Sequence, residues 1–416
     1  MAVGAAGLGL LLAYLLKRPC ALNPWVDGFQ YRRLCYSDIQ PLYGLRGVAD
    51  GLVPYRDVEV EYPVLTGTFM YLVGRLLVFL NRLGRELPSL AGLLPATVND
   101  QSYFRLTALM LAPFSVATTL LLRPRVPRSR LLLWALGTPT ILYSFTNWDL
   151  LAVAGAVWGV VELERARNGV AGAALGLGAS AKLFPAFFLP GALLQRWSKR
   201  DRRGAARVGI GFSVAAAAAN LPWMLIAWNG WAATWVFHSR RYPDLNTLWF
   251  WIAHHGRRLA PSPWWEVGHP GYQSVSGVVG FIVLAIGSGW YLWRGWRRRG
   301  EGDYPVVATG LGILILFMLT TKAHSPQYAL WVLPFLALLN IPWPLVVAYL
   351  AADLGVFVSG FHWYLVFGSP APAWKGIYEG AILIRGAVLA GIAWWAARAV
   401  RVTPRPESLE ISSRPE

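Results

Sequence analysis

Charged side chains are scarce in this 416-residue chain: 38 lysines and arginines with 21 aspartates and glutamates make 14% of it, against roughly 25% in ordinary soluble domains. With 56% apolar residues, this excludes a soluble globular protein, and it excludes a disordered chain, a fibrous repeat or a single-pass anchor as well. Six histidines and two cysteines stand in no ligand-like spacing, so nothing supports a zinc site. No segment repeats at a fixed period, and no two halves match as inverted repeats, the usual sequence sign of a transporter. The N-terminal run MAVGAAGLGLLLAYLL lacks a basic n-region and a small-residue cleavage site. It is expected to be an uncleaved first span, short for a hydrocarbon core of about 30 Å, with Lys17 and Arg18 snorkelling.

What is present is a succession of apolar runs interspersed with 42 glycines, 28 prolines and 22 tryptophans, which points to an all-α polytopic membrane protein. The net charge of +17 would suggest a nucleic-acid partner if it covered one soluble face. Instead it gathers in three short breaks: Arg123 to Arg130, Arg196 to Arg207, and Arg294 to Arg299. Such breaks mark cytoplasmic loops, and the charge then needs no nucleic acid to explain it. Residues 17–63 balance six basic against six acidic side chains and are expected outside.

The apolar runs count to about twelve transmembrane or re-entrant helices within one integral-membrane domain, 1–402, followed by a Pro-, Ser- and Glu-rich tail, 403–416, expected to be disordered and cytoplasmic. External loops are expected at 17–100 and, rich in Trp, at 227–272. Arg75 in the middle of 64–82 predicts a helix lying in the external interface rather than crossing. The runs 131–146 and 149–163 form a hairpin with Asn147, Trp148 and Asp149 at its outer tip; 169–181 and 183–195 form another, with Lys182 at its turn. Both pairs are short, as broken helices beside a cavity are.

Several residues invite chemistry. Asp38 precedes a short amphipathic segment, where it is either a helix N-cap or a carboxylate placed to accept a proton, and spacing alone favours the cap. In YRDVEVEYP, Asp57, Glu59 and Glu61 alternate with apolar residues; an extended chain would set all three on one side, either as a solvated edge or around a divalent cation. Lys182 and Lys322, two of only five lysines, interrupt apolar runs, and intramembrane charge is costly enough to mark them as functional. His238, Arg240 and Arg241 follow Trp231 and Trp235 and suit a phosphate at headgroup level, or interfacial anchoring. Asp353, in YLAADLGVF, has no evident partner.

Taken in order, SDIQPLYGLRGVADGLVPYRDVEVEYP, NWDLLA, AGAALGLGASAKLFPAFFLP, FHSRRYPDLNTLW and KAHSPQYALWVLPFL resemble the GT-C superfamily, specifically the bacterial membrane glycosyltransferases of family 87, over about residues 30–340. The resemblance implies a GT-C-like bundle in the bacterial plasma membrane. It implies an inverting transfer of a sugar, mannose foremost, from a polyprenyl-phosphate donor to a lipid-linked or glycan acceptor on the external face. An acidic residue early in the first external loop serves such enzymes as base, and Asp38 is the matching position. Glu61 and Tyr62 of EYP, Lys182, His238, Arg240, Arg241, Lys322, His324 and Gln327 are the matching candidates for substrate binding. The motif here is EYPV where many relatives read YPP.

The chemistry suits this inventory. A sugar phosphodiester carries a good leaving group, so one carboxylate acting on the acceptor hydroxyl suffices. Lys or Arg can balance the phosphate, so no cofactor is required; a divalent cation is compatible with the acidic segment but is not expected. The alternative class is a lipid-linked sugar flippase or secondary transporter. Membrane lipids are partners in either case. Cys20 and Cys35 both fall in the loop assigned outside, where a disulfide is permitted; two free thiols in an apolar interface are equally compatible.

Overall fold

The computed structural model describes residues 2–87, 89, 92–299, 303–366 and 372–398. The expected tail 403–416 lies outside the described residues. Among those residues every regular element is helical. In chain order they are α1 (Ala2–Leu22), α2 (Phe29–Arg32), α3 (Ile39–Leu45), α4 (Val64–Glu86), α5 (Asp100–Leu122), α6 (Arg128–Leu136), α7 (Thr138–Tyr143), α8 (Asp149–Glu164) and α9 (Asn168–Ala181). There follow α10 (Leu189–Ser198), α11 (Arg202–Ile226), α12 (Trp228–Arg240), α13 (Leu248–Leu259), α14 (Pro270–Arg297), α15 (Val306–Thr320), α16 (Ala329–Leu338), α17 (Trp343–Leu365) and α18 (Pro372–Ala396). Two 3₁₀ turns, Phe184–Phe188 and Pro326–Tyr328, lead into α10 and α16.

Among the described residues, seven helices are long and apolar enough to cross a membrane: α1, α4, α5, α11, α14, α17 and α18. The chain is an integral membrane protein. The two short pairs expected from the sequence are present as α6 to α10 and pack inside the bundle, where α8 buries twelve of its sixteen residues. Among the described residues α9 and α11 share the most extensive helix contact. Gly172 and Gly176, spaced as in GxxxG, let the two backbones meet: a Cβ on Gly172 would stand 2.0 Å from the Val208 carbonyl oxygen, and one on Gly176 2.5 Å from that of Phe212.

One expectation needs correction, and two other segments gain definition. The first helix does not stop at residue 16. It runs to Leu22, 21 residues or about 31 Å, because Lys17 is buried and donates to the Tyr36 carbonyl at 2.8 Å instead of snorkelling. The first loop therefore begins near residue 23, not 17. Residues 64–86 form one 23-residue helix, long and apolar enough to span, with Arg75 on its exposed side. The segment 227–272 carries the helices α12 and α13.

Cys20, near the end of α1, is bridged to Cys35, with Cα atoms 5.6 Å apart. The bridge fastens the turn that carries residues 36–38 to the first helix, and Gln40 adds a hydrogen bond to the Cys20 carbonyl at 3.0 Å.

The α9–α11 contact yields a stability prediction. Gly172→Leu puts a side chain against backbone that has nowhere to retreat, so it should destabilise the bundle by about 2–3 kcal/mol. Gly7→Ala, with nothing within 4 Å, should be neutral. Thermal unfolding in detergent measures both, and equal midpoints would contradict the packing.

Candidate active site

Helix polarity fixes where polar residues can gather. α8 begins at Asp149, α9 ends just before Lys182, and α15 ends just before Lys322, so these three side chains lie at one end of the bundle. The basic segments after α5, α10 and α14 lie at the opposite ends of those helices or of their neighbours. At the first end a cavity of about 750 Å³ opens, lined among others by Asp38, Glu61, Tyr62, Asn147, Lys182, Arg241, Lys322 and Gln327.

Asp38 is not a helix cap. Its own backbone is already helical, with φ −66° and ψ −24°, and its carboxylate makes no bond to the amides of α3. Ser37 takes that role, its Oγ accepting from the Ile39 N–H at 3.2 Å. The Asp38 N–H donates to the Thr146 carbonyl at 2.8 Å, which ties this turn to the link between α7 and α8. The carboxylate faces the cavity with both oxygens engaged. Oδ1 accepts from the Tyr36 hydroxyl at 2.8 Å and Oδ2 from the Asn147 amide at 2.9 Å.

The direction of the Asn147 amide follows from a neighbour that can only donate. The Trp148 N–H points to Asn147 Oδ1 at 2.5 Å, so the oxygen must face it and the NH₂ must face Asp38. The second amide proton goes to the Tyr62 hydroxyl at 2.8 Å. That hydroxyl is thereby an acceptor, and its own proton is left to point at whatever occupies the cavity. At the tip of the hairpin Asn147, Trp148 and Asp149 are buried, at 1%, 1% and 0% exposed, and close this network from beneath.

Burial pushes the Asp38 carboxyl above the ordinary carboxylate range, while the Tyr36 and Asn147 hydrogen bonds and the Lys182 charge pull it back and the Asp149 charge pushes it up. Lys182 itself is paired. Its ammonium meets Asp149 Oδ1 at 2.5 Å and sits 5.2, 5.8 and 5.6 Å from the rings of Tyr62, Tyr328 and Trp331.

Across the cavity, Arg241 lies 3.5 Å from Asp244, and the Lys322 ammonium donates to the Ser239 carbonyl at 3.0 Å. Asp244 knits the two segments together: its N–H donates to the Lys322 carbonyl at 3.0 Å, and its carboxylate accepts from the His324 and Asn246 amides at 3.2 and 3.0 Å. Burial is the first reason that the Asp244 carboxyl is also raised, with Arg241 opposing it.

The structure brings Asp38, Glu61, Tyr62, Lys182, His238, Arg241, Lys322 and Gln327 to the cavity. Glu61 is held by Arg46 at 2.5 Å, and His238 donates through Nε2 to the Glu61 carbonyl at 2.9 Å. Two expectations fail. Arg240 ends α12 on its exposed side, since successive helical residues diverge by about 100° and only Arg241 turns inward. His324 is 4% exposed and does not line the cavity; only its backbone N–H serves, on Asp244.

The acidic segment 57–61 is not one edge either. Tyr55, at φ 68°, and the Pro54–Val58 bridge fold it, so that Asp57 pairs with Arg56 at 2.8 Å while Glu61 turns to Arg46. Among the described residues no group of three His, Cys, Asp or Glu is placed to hold a metal ion. Sequence reasoning missed Tyr36, Asn147, Asp149 and Asp244. The tripeptide Asn-Trp-Asp between two apolar runs was the available signal for two of them.

A family model described as glycosyltransferase family 87 matches residues 87–321, more than half of the chain. No curated protein matches the chain.

The geometry at Asp38 sets a pH dependence. Were Asp38 to act as a base it would have to be ionised, and turnover would fall as pH drops through its pKa. Removing the Asn147 donor raises that pKa further. Asn147→Ala should therefore shift the acid limb of the kcat/KM profile to higher pH, by about one unit, with the alkaline side little changed. An unshifted limb would separate Asn147 from the titrating group.

Proposed function

The chain belongs to glycosyltransferase family 87, and we propose that it transfers a sugar, with inversion, from a polyprenyl-phosphate donor to an acceptor hydroxyl at the external face of the bacterial plasma membrane. The observation that carries this reading is one half-buried carboxylate, Asp38, held by two donors at the wall of a cavity whose other side carries Arg241 and Lys322.

In the proposed reaction Asp38 takes the proton of the acceptor hydroxyl. The oxygen forms a bond to the anomeric carbon from the face opposite the phosphate. The anomeric C–O bond breaks, and its electron pair leaves with polyprenyl phosphate. No acid is needed for that leaving group, so the lack of a second free carboxylate beside Asp38 is no obstacle.

Lys182 is neutralised by Asp149, which shifts the phosphate to Arg241 and Lys322: Arg241 is only loosely held by Asp244, and Lys322 spends one ammonium proton on a carbonyl. These two cations balance the phosphate, so the reading calls for no cofactor. Tyr62 and Gln327 supply hydrogen bonds to the sugar. Leu183, Phe317, Trp235 and Phe237 line the cavity as well, and the first, third and fourth are exposed, an apolar flank suited to the prenyl chain. Mannose is the sugar by family resemblance.

Two features support the external face. The cavity is at the end of the bundle opposite the basic segments, and the disulfide beside Asp38 belongs to an oxidising compartment.

Asp38→Asn tests the base. The amide keeps the shape and can be satisfied, because the Tyr36 hydroxyl can reverse and accept, but it takes no proton. Turnover of labelled polyprenyl-phosphate mannose by the purified enzyme should fall by about 10² to 10⁴, roughly 3–5 kcal/mol, with thermal stability kept. Near-normal turnover would remove Asp38 from the chemistry. Arg241→Met and Lys322→Met should act differently, raising donor KM more than they lower kcat, since a phosphate charge is present before and during the transition state. A change confined to acceptor KM would misplace the donor.

A further inference from the structure

Behind the cavity wall, α13 and α18 meet through a cluster of charged and titratable side chains that the proposed reaction leaves unused. His254 and His255 lie on α13, and Lys375 and Glu379 on α18. His255 Nε2 meets Glu379 Oε1, and the Lys375 ammonium lies 2.9 Å from His254 Nε2. An ammonium can only donate, so the His254 imidazole is neutral and accepts. Burial first, then the charges of Lys375 and Arg258, hold the His254 pKa below its ordinary range and keep it neutral. Arg258 follows His254 by four residues on α13, one helical turn along the same face. Trp251, 2% exposed, stands between this cluster and the cavity, its ring 5.7 Å from His254 and 6.3 Å from the cavity-lining Tyr378. Lys375, His254 and Arg258 do not line the cavity.

The acids nearby are already spent. Glu379 is taken by His255, and Glu266 by Arg257 at 3.6 Å; among the described residues neither Lys375 nor Arg258 forms an ion pair. The cluster therefore turns donors outward: the remaining ammonium protons of half-buried Lys375 and the guanidinium N–H groups of exposed Arg258. A metal ion needs acceptors, and a sugar hydroxyl needs an acceptor as well as a donor. A phosphodiester is an anion that only accepts, and it matches. Apolar surface begins at the same place. Ile377 lies two residues beyond Lys375, and Ile384 two turns further along α18, about 10 Å down its axis; they are 53% and 59% exposed. The helix is long and apolar enough to span, and its far end is tied to the basic segment after α14, where Arg298 donates to the Ala397 carbonyl at 3.2 Å. Lys375, near the first turn of that helix, is thus at headgroup depth, with the apolar strip leading inward from it.

We propose that the α13–α18 junction binds an anionic phospholipid, its phosphate held by Lys375 and Arg258 and one acyl chain lying along Ile377 and Ile384. The site is separate from the cavity and does not depend on the sugar-transfer reading. A lipid bound there bridges α13 to α18 behind Trp251. It braces the part of the cavity wall that these helices share, where the Tyr378 hydroxyl donates to Asn246 Oδ1 at 2.6 Å.

The test uses the full chain, purified in detergent and stripped of lipid, with three probes. Dioleoylphosphatidylglycerol is the anionic lipid. Dioleoylphosphatidylcholine has the same chains and phosphodiester but adds a cation that Lys375 and Arg258 repel. Glycerophosphoglycerol is the anionic headgroup without chains. Native mass spectrometry should show the wild type binding phosphatidylglycerol about tenfold or more tightly than phosphatidylcholine, and phosphatidylglycerol should raise the melting midpoint. Glycerophosphoglycerol should not compete. Lys375→Gln combined with Arg258→Gln should weaken phosphatidylglycerol binding by about tenfold or more and erase the preference, with lipid-free melting unchanged. Arg258→Gln alone touches an exposed side chain that bonds to nothing, so the fold is safe, and it should weaken binding about threefold or more. Lys375→Arg should keep the preference, and so should Arg240→Gln, which removes an exposed cation from α12. Equal binding of phosphatidylcholine would reduce the site to the general lipid shell, and competition by glycerophosphoglycerol would make it a site for soluble phosphate; either overturns the proposal. So would a preference that survives Arg258→Gln and the double substitution, or one that Arg240→Gln abolishes as well.

Discussion

A carboxylate set into the wall of a cavity needs hydrogen-bond donors, and the polar architecture at this end of the bundle is organised around that demand. An unpartnered buried carboxylate costs several kcal/mol and escapes the cost by taking up a proton. Asp38 avoids this through Tyr36 and Asn147, and each of these must itself be held. Asn147 is oriented by the Trp148 N–H. Tyr36 is held through its carbonyl by buried Lys17 and through its ring by Tyr31 and Phe361. One acid thus draws in α1, the α7–α8 link and α17, which lie far apart in sequence.

The ion pair of Lys182 and Asp149 belongs to the same scheme. A buried pair of this kind is weak evidence of stability, because desolvation offsets most of the attraction. Its effect on Asp38 is easier to state. The Lys182 charge draws the Asp38 carboxyl down and the Asp149 charge pushes it up, so the two members of the pair oppose each other there. Pairing also leaves Arg241 and Lys322, across the cavity, as cations less fully neutralised than Lys182. Arg385 and Asp353, joined at 3.3 Å between α17 and α18, are a second buried pair and supply the partner that the isolated Asp353 lacked in sequence.

Helix positions were legible from apolar runs, and the end of the bundle that holds the site was legible from the basic segments, because both depend on local composition. What depends on tertiary partners was not. Lys17 looks like the end of a span until Tyr36 O is known to receive it. Asn147 and Asp149 read only as the tip of a hairpin because nothing local shows that Asp38 and Lys182 come to meet them. Arg240 and Arg241 are equivalent as letters and are separated only by where α12 ends. Spacing alone favoured a capping role for Asp38, and family resemblance alone pointed to a base. The structure decides against the cap, since Ser37 occupies that position and the carboxylate has turned to the cavity.

The placement of Asp38 also explains why the carboxylate sits on a short turn and not within one of the long helices. At the centre of a span its charge would cost several kcal/mol with few partners available, and a helix would allow only its i±3 and i±4 neighbours to reach it. On the turn at 36–38 it collects donors from the turn itself and from the α7–α8 link, but a turn is mobile unless it is tied. The Cys20–Cys35 bridge anchors one side, the Asp38 N–H to Thr146 O bond anchors the other, and the Ser37 hydroxyl reaches the Phe145 carbonyl at 2.8 Å between them. Covalent and backbone restraints therefore supply on this turn the rigidity that a helix would have provided within a span, and they hold the carboxylate at the cavity wall with both oxygens engaged.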